Sequence, residues 1–308
     1  MGGKASQQPF ATSFVEIEIP QRGGAPTGIT VGPDRNIWFT EYSKNSIGVI
    51  NSATFKITHF RIATRKARPA QIVTGPDGNL WFTESLGNKI GRITTSGAIT
   101  EFALPAAGSD PVGITDGPDG KLWFAELFGN RIGSITPAGA IAEYTIPTAQ
   151  CHSAFVARGA DGAIWFTENT GNKIGRITTS GAITEFPITP NSHPEGIATG
   201  PDGNVWYAAT GIGAIGRISG AGVVTNFSTP TANSNPIGIT SVPGFGSSQL
   251  WFTEDGANNI ARITTSGVIT EFAVPTTAAG LENITAGPNR DVWFTEQTAG
   301  KIGIRTNL

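Results

Sequence analysis

The chain has 308 residues, of which 38% are hydrophobic and 14% charged, with 41 glycines and 20 prolines. This composition is typical of an all-β protein with many turns. The formal net charge of −2 argues against the basic face of a nucleic-acid-binding protein, so we expect no nucleic-acid partner. No apolar run reaches the roughly 20 residues of a membrane helix, so we expect no membrane partner. The single cysteine, Cys151, excludes an intramolecular disulfide.

The sequence begins with a segment that does not fit the pattern of the rest. We interpret residues 1–13 as a flexible leader and residues 14–308 as one domain. The first residues, Met1–Ser6, lack the apolar segment of a secretory signal. The compartment therefore stays open between the cytoplasm and secretion with a signal removed.

The domain repeats one unit, which is well seen in residues 70–102. Four strand-length runs rich in β-branched and aromatic residues follow one another there: Ala70–Thr74, Leu80–Thr83, Lys89–Ile93 and Ala98–Phe102. Turn-forming residues, including Asp-Gly and Ser-Gly pairs, separate the runs, as in an antiparallel meander. One unit therefore predicts four antiparallel strands.

The tryptophans show how often the unit recurs. Successive tryptophans lie 41–45 residues apart: Trp38, Trp81, Trp123, Trp165, Trp206, Trp251 and Trp293. A period of this length with four strands is typical of a β-propeller blade. The sequence thus predicts an all-β fold, a single seven-bladed β-propeller with four-stranded antiparallel blades.

The two ends of the chain predict how the ring closes. The last unit stops after its third strand, at Ile302–Arg305, and the missing fourth strand resembles Phe14–Pro20 near the N-terminus. We therefore expect the N-terminal strand to pair with the last blade, which removes an unpaired strand edge.

Two residue types that recur in the blades have structural explanations. Each tryptophan can be buried between blades, so none is interpreted as a ligand platform. Six blades also carry a glutamate after the Trp-Phe pair, which we expect to cap a turn or accept backbone N–H bonds rather than bind cations: Glu41, Glu84, Glu126, Glu168, Glu254 and Glu296. His59, on an outer strand, is expected at the surface.

Function is expected where the blades differ, at one mouth of the central channel. The strand nearest the axis begins at a Pro-x-Gly-Ile motif, whose x position is expected to face that mouth. The x residues are Thr27, Ala70, Val112, Ala154, Glu195, Ile237 and Glu282. The residues two positions before x are Ala25, Arg68, Asp110, His152, His193, Asn235 and Gly280.

Several of these residues are candidates for a site, since His and Glu can act as acid and base or bind a divalent cation. The candidate catalytic residues are Glu282, His193 and Glu195. The candidate ligand-binding residues are Arg68, Asp110, His152, Asn235 and Thr27. We expect a small-molecule or peptide ligand at the channel mouth and a monomeric protein, and the sequence leaves a metal site unknown.

Two other interpretations concern the same residues. A solvated polar rim also explains them, because any channel mouth is lined by polar groups. A thiol–imidazole pair of Cys151 and His152 is disfavoured, since adjacent residues of a strand face opposite sides.

The repeat resembles the virginiamycin B lyase (streptogramin B lyase) family. The resemblance is carried by Gly75–Glu84, Asn88–Thr94 and Ile99–Phe102 and by their counterparts over residues 14–308. It implies a seven-bladed propeller that opens a cyclic depsipeptide antibiotic by elimination across its threonyl ester bond, with Mg²⁺ as cofactor.

The resemblance also implies working residues, and this chain departs from most of them. The family carries Tyr at the first-blade x position and His at the sixth and seventh, where this chain has Thr27, Ile237 and Glu282. Gly280 stands where the family has an acid, and only Glu296 or Gln297 matches the acid after the last tryptophan.

Losing both imidazoles removes the general base that the resemblance implies. We therefore expect a ligand-binding or scaffold propeller and leave two enzymatic alternatives open. One is a streptogramin B lyase in which Glu282 is the base, provided that burial raises its pKa. The other is a propeller lactonase or hydrolase that uses Glu195, Glu282, Asp110 and Asn235. If the protein is an enzyme, it is expected to be a carbon–oxygen lyase.

Overall fold

The computed structural model describes residues 13–20, 23–242 and 249–306. Within them the chain forms seven four-stranded antiparallel sheets arranged as a ring, which confirms the predicted seven-bladed propeller. The leader predicted for residues 1–13 lies, apart from Ser13, outside the described residues. In the part of the chain that the structure describes, no helix is both long and apolar enough to span a bilayer.

Each blade runs outward from the channel in sequence order, except that the outermost strand of the last blade comes from the N-terminus. The innermost strands are β2 (Pro26–Val31), β6 (Pro69–Thr74), β10 (Pro111–Asp116), β14 (Ser153–Arg158), β18 (Pro194–Thr199), β22 (Pro236–Ser241) and β26 (Leu281–Ala286). The second strands are β3 (Ile37–Glu41), β7 (Leu80–Glu84), β11 (Leu122–Glu126), β15 (Ile164–Glu168), β19 (Val205–Ala209), β23 (Gln249–Glu254) and β27 (Val292–Glu296). A 3₁₀ turn, Thr210–Ile212, follows β19.

The outer half of each blade has two further strands. The third strands are β4 (Ser46–Ile50), β8 (Lys89–Ile93), β12 (Arg131–Ile135), β16 (Lys173–Ile177), β20 (Ala214–Ile218), β24 (Asn259–Thr264) and β28 (Lys301–Arg305). The outermost strands are β5 (Ile57–Arg61), β9 (Ile99–Ala103), β13 (Ile141–Thr145), β17 (Ile183–Pro187), β21 (Val224–Ser228), β25 (Ile269–Ala273) and β1 (Phe14–Glu18).

The N-terminal strand closes the ring as predicted. β1 pairs antiparallel with β28, from Phe14 opposite Arg305 to Glu18 opposite Lys301. The Glu16 carboxylate also accepts hydrogen bonds of 2.8 and 2.7 Å from the backbone N–H and the hydroxyl of Thr276, which follows the outermost strand of the sixth blade. The closing strand therefore ties the last blade to its neighbour.

Aromatic side chains fill the space between every pair of adjacent blades. Trp38 of the first blade lies in one hydrophobic cluster with Phe82 of the second, and Trp293 of the last blade lies in one cluster with Phe39 of the first. The other five interfaces repeat the arrangement. All seven tryptophans are at most 1% exposed. Burying one contributes about 4–6 kcal/mol of gross hydrophobic free energy, so the predicted core role of the tryptophans is confirmed.

In five blades the tight turn before the second strand also holds the tryptophan through a hydrogen bond. Asp77 Oδ1 accepts the indole N–H of Trp81 at 2.9 Å. Burial alone would raise the pKa of Asp77, but the hydrogen bonds from Asn79 and Trp81 lower it overall. The aspartate of the Pro-Asp-Gly turn is thus a structural hydrogen-bond acceptor.

The six repeated glutamates are fully buried inside their blades. No backbone N–H of the described residues donates to their carboxylates, so the expectation of turn caps or backbone acceptors was wrong. Their neighbours are side chains of the outer two strands. Beside Glu84 stand Lys89 of the third strand and Glu101 of the fourth, and burial together with the Glu101 charge raises the pKa of Glu84 to about 8. The same causes raise the pKa of Glu168 to about 8.

In the first blade a histidine occupies the position of the second carboxyl group. His59 lies opposite Gly48, as Glu101 lies opposite Gly91. Its Nδ1 is 2.7 Å from Glu41 Oε2, and its side chain is only 17% exposed. The expectation that His59 lies at the surface was wrong, because this register points the side chain at the buried glutamate.

Truncation of the chain to begin at residue 21 is expected to lower the melting temperature by about 10 °C, a loss of a few kcal/mol. The truncation removes β1 and leaves β28 without its outer partner. Thermal unfolding followed by circular dichroism measures the effect. Glu18→Ala, an exposed position on β1, should change little, and equal melting of truncated and full-length protein would contradict the closing role.

The stability of the protein should fall between about pH 4.5 and 8. The folded pKa of Glu84 lies above its ordinary value of 4.5, so the folded state binds more protons, and stability is lost as pH rises through that window. Glu84→Gln removes this contribution to the pH dependence of the unfolding free energy, which is at most about 1.4 kcal/mol per pH unit. Melting temperatures at pH 5–9 test it. The curve of the variant should be flatter, whereas Glu18→Gln should run parallel to the parent.

Candidate functional site

A bulge in each innermost strand places the x residue. In the third blade Pro111 pairs with Glu126 while Ile114 pairs with Phe124, so the register shifts between the two pairs. Val112 at x and Gly113 after it carry the extra residue of this β-bulge. All seven innermost strands show the same shift.

A threonine of the second strand holds the bulge and joins it to the next blade. Thr83 Oγ1 accepts the backbone N–H of Gln71 at 3.0 Å and donates to the carbonyl oxygen of Val112 at 2.7 Å. Thr40, Thr253 and Thr295 make the equivalent two bonds. This explains why threonine recurs before the buried glutamate of the blade.

The residue two positions before x has a left-handed backbone in every blade. The φ angles are between 43° and 72° for Ala25, Arg68, Asp110, His152, His193, Asn235 and Gly280. Six of these residues are not glycine, and a left-handed conformation costs such a residue roughly 1–2 kcal/mol. Because it recurs in every blade, this conformation belongs to the repeat itself.

A cavity of about 410 Å³ opens at the channel mouth. Six of the seven x residues line it: Thr27, Ala70, Val112, Ala154, Glu195 and Glu282. Ile237 is not among the lining residues. Of the eight candidate site residues, the structure brings together Glu282, Glu195, Thr27 and His152 around this cavity.

The other candidates point elsewhere. Arg68 lies over the Tyr42 ring and donates from Nη1 to Tyr42 Oη at 3.1 Å. Asp110 accepts a hydrogen bond from the Ser85 hydroxyl. Each of these contacts occurs between adjacent blades at the mouth, outside the lining of the cavity.

Two further candidates are exposed. The His193 backbone N–H donates to Asn172 Oδ1 at 3.3 Å, and its side chain does not line the cavity. Asn235 lines a separate surface depression between blades five and six. His152 therefore lines the cavity, whereas His193 does not.

The structure disfavours the thiol–imidazole pair. Cys151 is buried, and burial, followed by the charge of Glu168, raises its pKa to about 12. His152 Nδ1 lies 3.1 Å from the Thr170 hydroxyl instead. Cys151 and His152 are adjacent in the sequence but therefore contact different groups.

The carboxylates form one side of the cavity. Glu195 Oε1 accepts a 2.6 Å hydrogen bond from Asn169 Nδ2. Burial and the Glu282 charge nevertheless raise the pKa of Glu195 to about 7. Burial and the charge of Asp255 raise the pKa of Glu282 to about 7. Both groups therefore change charge near neutral pH, and no lysine or arginine is among the residues that line the cavity.

The opposite side of the cavity is apolar. It is formed by x residues of blades two to four and by Leu127 and Phe128. Phe128 is 66% exposed and meets the His152 ring edge to face, with 5.6 Å between ring centres. An exposed aromatic ring beside a cavity is a feature of ligand sites.

Apart from Gln297, sequence reasoning missed the residues that follow the repeated glutamate position. That position differs in every blade: Tyr42, Ser85, Leu127, Asn169, Thr210, Asp255 and Gln297. Leu127 and Asn169 line the cavity. This lack of repetition at one fixed position was the signal that would have found them.

Comparison with known proteins identifies the family. The profile of the Virginiamycin B lyase family matches residues 12–243 and, in an overlapping second match, residues 156–307. The chain belongs to this family. The resemblance seen in the sequence is thereby confirmed, although a search of curated proteins found no match.

Similar solved structures belong to the same family. Virginiamycin B lyase from Staphylococcus aureus is 42% identical to this chain and superposes with a TM-score of 0.91. The match covers 96% of this chain and 100% of that chain. A catalytically inactive form of that enzyme with quinupristin matches with 41% identity and the same coverage and TM-score. A streptogramin B lyase is 38% identical, with 96% of this chain and 97% of that chain covered and a TM-score of 0.90.

The resemblance implies Mg²⁺ and two acids, and the residues at the positions of those acids do not suit a bound ion. Gly280 offers no side-chain ligand, and Glu296 is buried in its blade, where burial and the charge of Glu16 raise its pKa to about 7. Among the described residues, no three His, Cys, Asp or Glu side chains gather to hold a metal ion. Glu195 and Glu282 are the carboxylates that face the cavity.

Proposed function

We propose that the channel-mouth cavity binds a small molecule that combines an apolar body with a positively charged group. The observation that carries this proposal is the division of the cavity into an apolar side and a side with two carboxyl groups, with no lysine or arginine among the lining residues. Its volume of about 410 Å³ is in the range of small-molecule sites. The chain would then be a ligand-binding member of its family.

The carboxyl groups favour a cation over an anion. Glu195 and Glu282 stand close enough for one charge to raise the pKa of the other. A bound ammonium group would offset this repulsion and favour the ionised form of both. Binding should therefore release protons and strengthen as pH rises through about 7.

The apolar side supplies the remaining binding energy. Phe128 presents exposed ring surface, and Val112 and Leu127 extend the apolar wall beside it. Covering this surface with an apolar ligand gains roughly 25 cal/mol per Å². A ligand with both features would match the two sides of the cavity at once.

A matched set of probes tests the charge preference: 4-phenylbutylammonium, the neutral 4-phenylbutanol and the anion 4-phenylbutyrate. Titration calorimetry at pH 8 should show the ammonium binding about tenfold more tightly than the alcohol, as expected for a hydrogen bond to a charged group. Glu195→Gln and Glu282→Gln should remove that advantage, and the ammonium should bind more weakly at pH 6.

The controls separate the cavity from the rest of the surface. Phe128→Ala should weaken all three probes, whereas Leu86→Ala, at the equivalent exposed position of blade two, should weaken none. Equal affinity for the three probes would refute the charge preference. No binding of any probe would favour the scaffold interpretation.

A second candidate function is elimination by the family reaction with a different base. Glu282 occupies the x position at which the family carries its base histidine, and burial raises its pKa to about 7, which suits a general base at neutral pH. Its carboxylate would take the proton α to a carbonyl. The C–H electrons would form a double bond to the β carbon, and the ester oxygen would leave as a carboxylate.

Incubation with a type B streptogramin, with and without Mg²⁺, distinguishes the enzymatic alternatives by mass spectrometry. Elimination should give a linear product of unchanged mass, at a rate that rises through about pH 7, and Glu282→Gln should abolish it. A product heavier by one water would instead favour a hydrolase. An intact antibiotic would rule out this second candidate, with Ile237→His/Glu282→His as a test of whether imidazoles restore the reaction.

A further inference from the structure

The residue after x is glycine in four blades for a steric reason. These glycines are Gly28, Gly113, Gly196 and Gly238. A Cβ on any of them would lie 2.6 Å or less from the carbonyl oxygen of the x residue in the next blade. Such an approach to backbone atoms requires glycine unless the strands shift.

The other three blades carry side chains at this position. They are Gln71 in blade two, Phe155 in blade four and Asn283 in blade seven. No two of these blades are neighbours, so each of the three side chains is flanked by glycines in both adjacent blades. In a ring of seven blades, three is the largest number of blades that can be chosen without two being neighbours.

The three side chains lie between two cavities. A smaller cavity of about 120 Å³ continues along the channel below the mouth. Gln71, Phe155 and Asn283 line both cavities, and no other residue does. The other four blades have glycine at this position and contribute no side chain there.

We propose that Gln71, Phe155 and Asn283 form the floor of the ligand site and determine the length of ligand that it accepts. This inference rests on the proposed binding function of the mouth cavity. The ligand would enter and leave through one mouth, with its apolar end against the Phe155 ring.

The three floor residues differ in how firmly they are held. Asn283 is 8% exposed, and its Nδ2 donates to the Thr27 carbonyl oxygen at 3.1 Å. Phe155 packs against the hydrophobic cluster between blades four and five. The side-chain amide of Gln71 makes no hydrogen bond to any described residue. Phe155 is thus the packed apolar part of the floor, on the same side as the apolar wall.

Alkyltrimethylammonium ions with chains of two to eight carbons probe the depth of the site by calorimetry. Each buried methylene should strengthen binding about fourfold until the chain reaches the floor, after which affinity levels off. The variant Phe155→Gly has the glycine that four other blades carry at this position. In this variant, affinity should continue to rise with longer chains. Phe155→Leu should give an intermediate limit of chain length. This variant keeps the test possible if the glycine variant does not fold.

The controls separate the floor from the rim and from the ligand class. Phe128→Ala should weaken every chain length without moving the limit. An unchanged length limit in Phe155→Gly would overturn the floor inference while leaving the binding function intact. A crystal structure of Phe155→Gly should show the two cavities joined, and separate cavities would also overturn it. Joined cavities without binding of any ion would refute the ligand class but support the floor.

Discussion

Aromatic packing between neighbouring blades is the interaction on which the rest of this protein depends. Each tryptophan is at most 1% exposed and shares a hydrophobic cluster with an aromatic residue of the next blade, and the last cluster returns to the first blade through Trp293 and Phe39. Because every interface uses the same residue types at equivalent positions, every innermost strand reaches the axis in the same register. The x positions can then vary without loss of the fold, since none of them contributes to these clusters.

The buried polar groups of the blades divide into those that build the scaffold and those that face the cavity. Five of the repeated glutamates have raised pKa values because each is buried inside a blade beside a second carboxyl group: Glu84, Glu126, Glu168, Glu254 and Glu296. Glu195 and Glu282 have raised pKa values for a related reason, but they line an open cavity. In this protein a carboxyl group with a raised pKa therefore indicates a candidate site only when the other blades do not carry the same residue at the equivalent position.

Much of the fold and part of the site could be predicted. The tryptophan spacing predicted seven blades, and the incomplete last unit predicted the pairing of β1 with β28. The x position singled out three of the seven polar residues that line the cavity, Thr27, Glu195 and Glu282, and the position two before it singled out His152. Arg68 could not be placed, because its left-handed backbone and its contact with Tyr42 depend on a neighbouring blade. His59 could not be placed because an outer-strand residue looks the same in sequence whether it faces solvent or a buried partner.

The sequence alone determined the number of blades, the order of strands and the positions at which blades differ, because these follow from a period and from hydrogen-bonded pairing between near neighbours. Only the tertiary structure decided which differing residues share a cavity, how deeply two carboxyl groups are buried and where the channel narrows. Those properties arise where seven strands far apart in sequence converge on one axis. Desolvation, charge repulsion and steric contact at that axis depend on distances across the ring, which no single repeat contains.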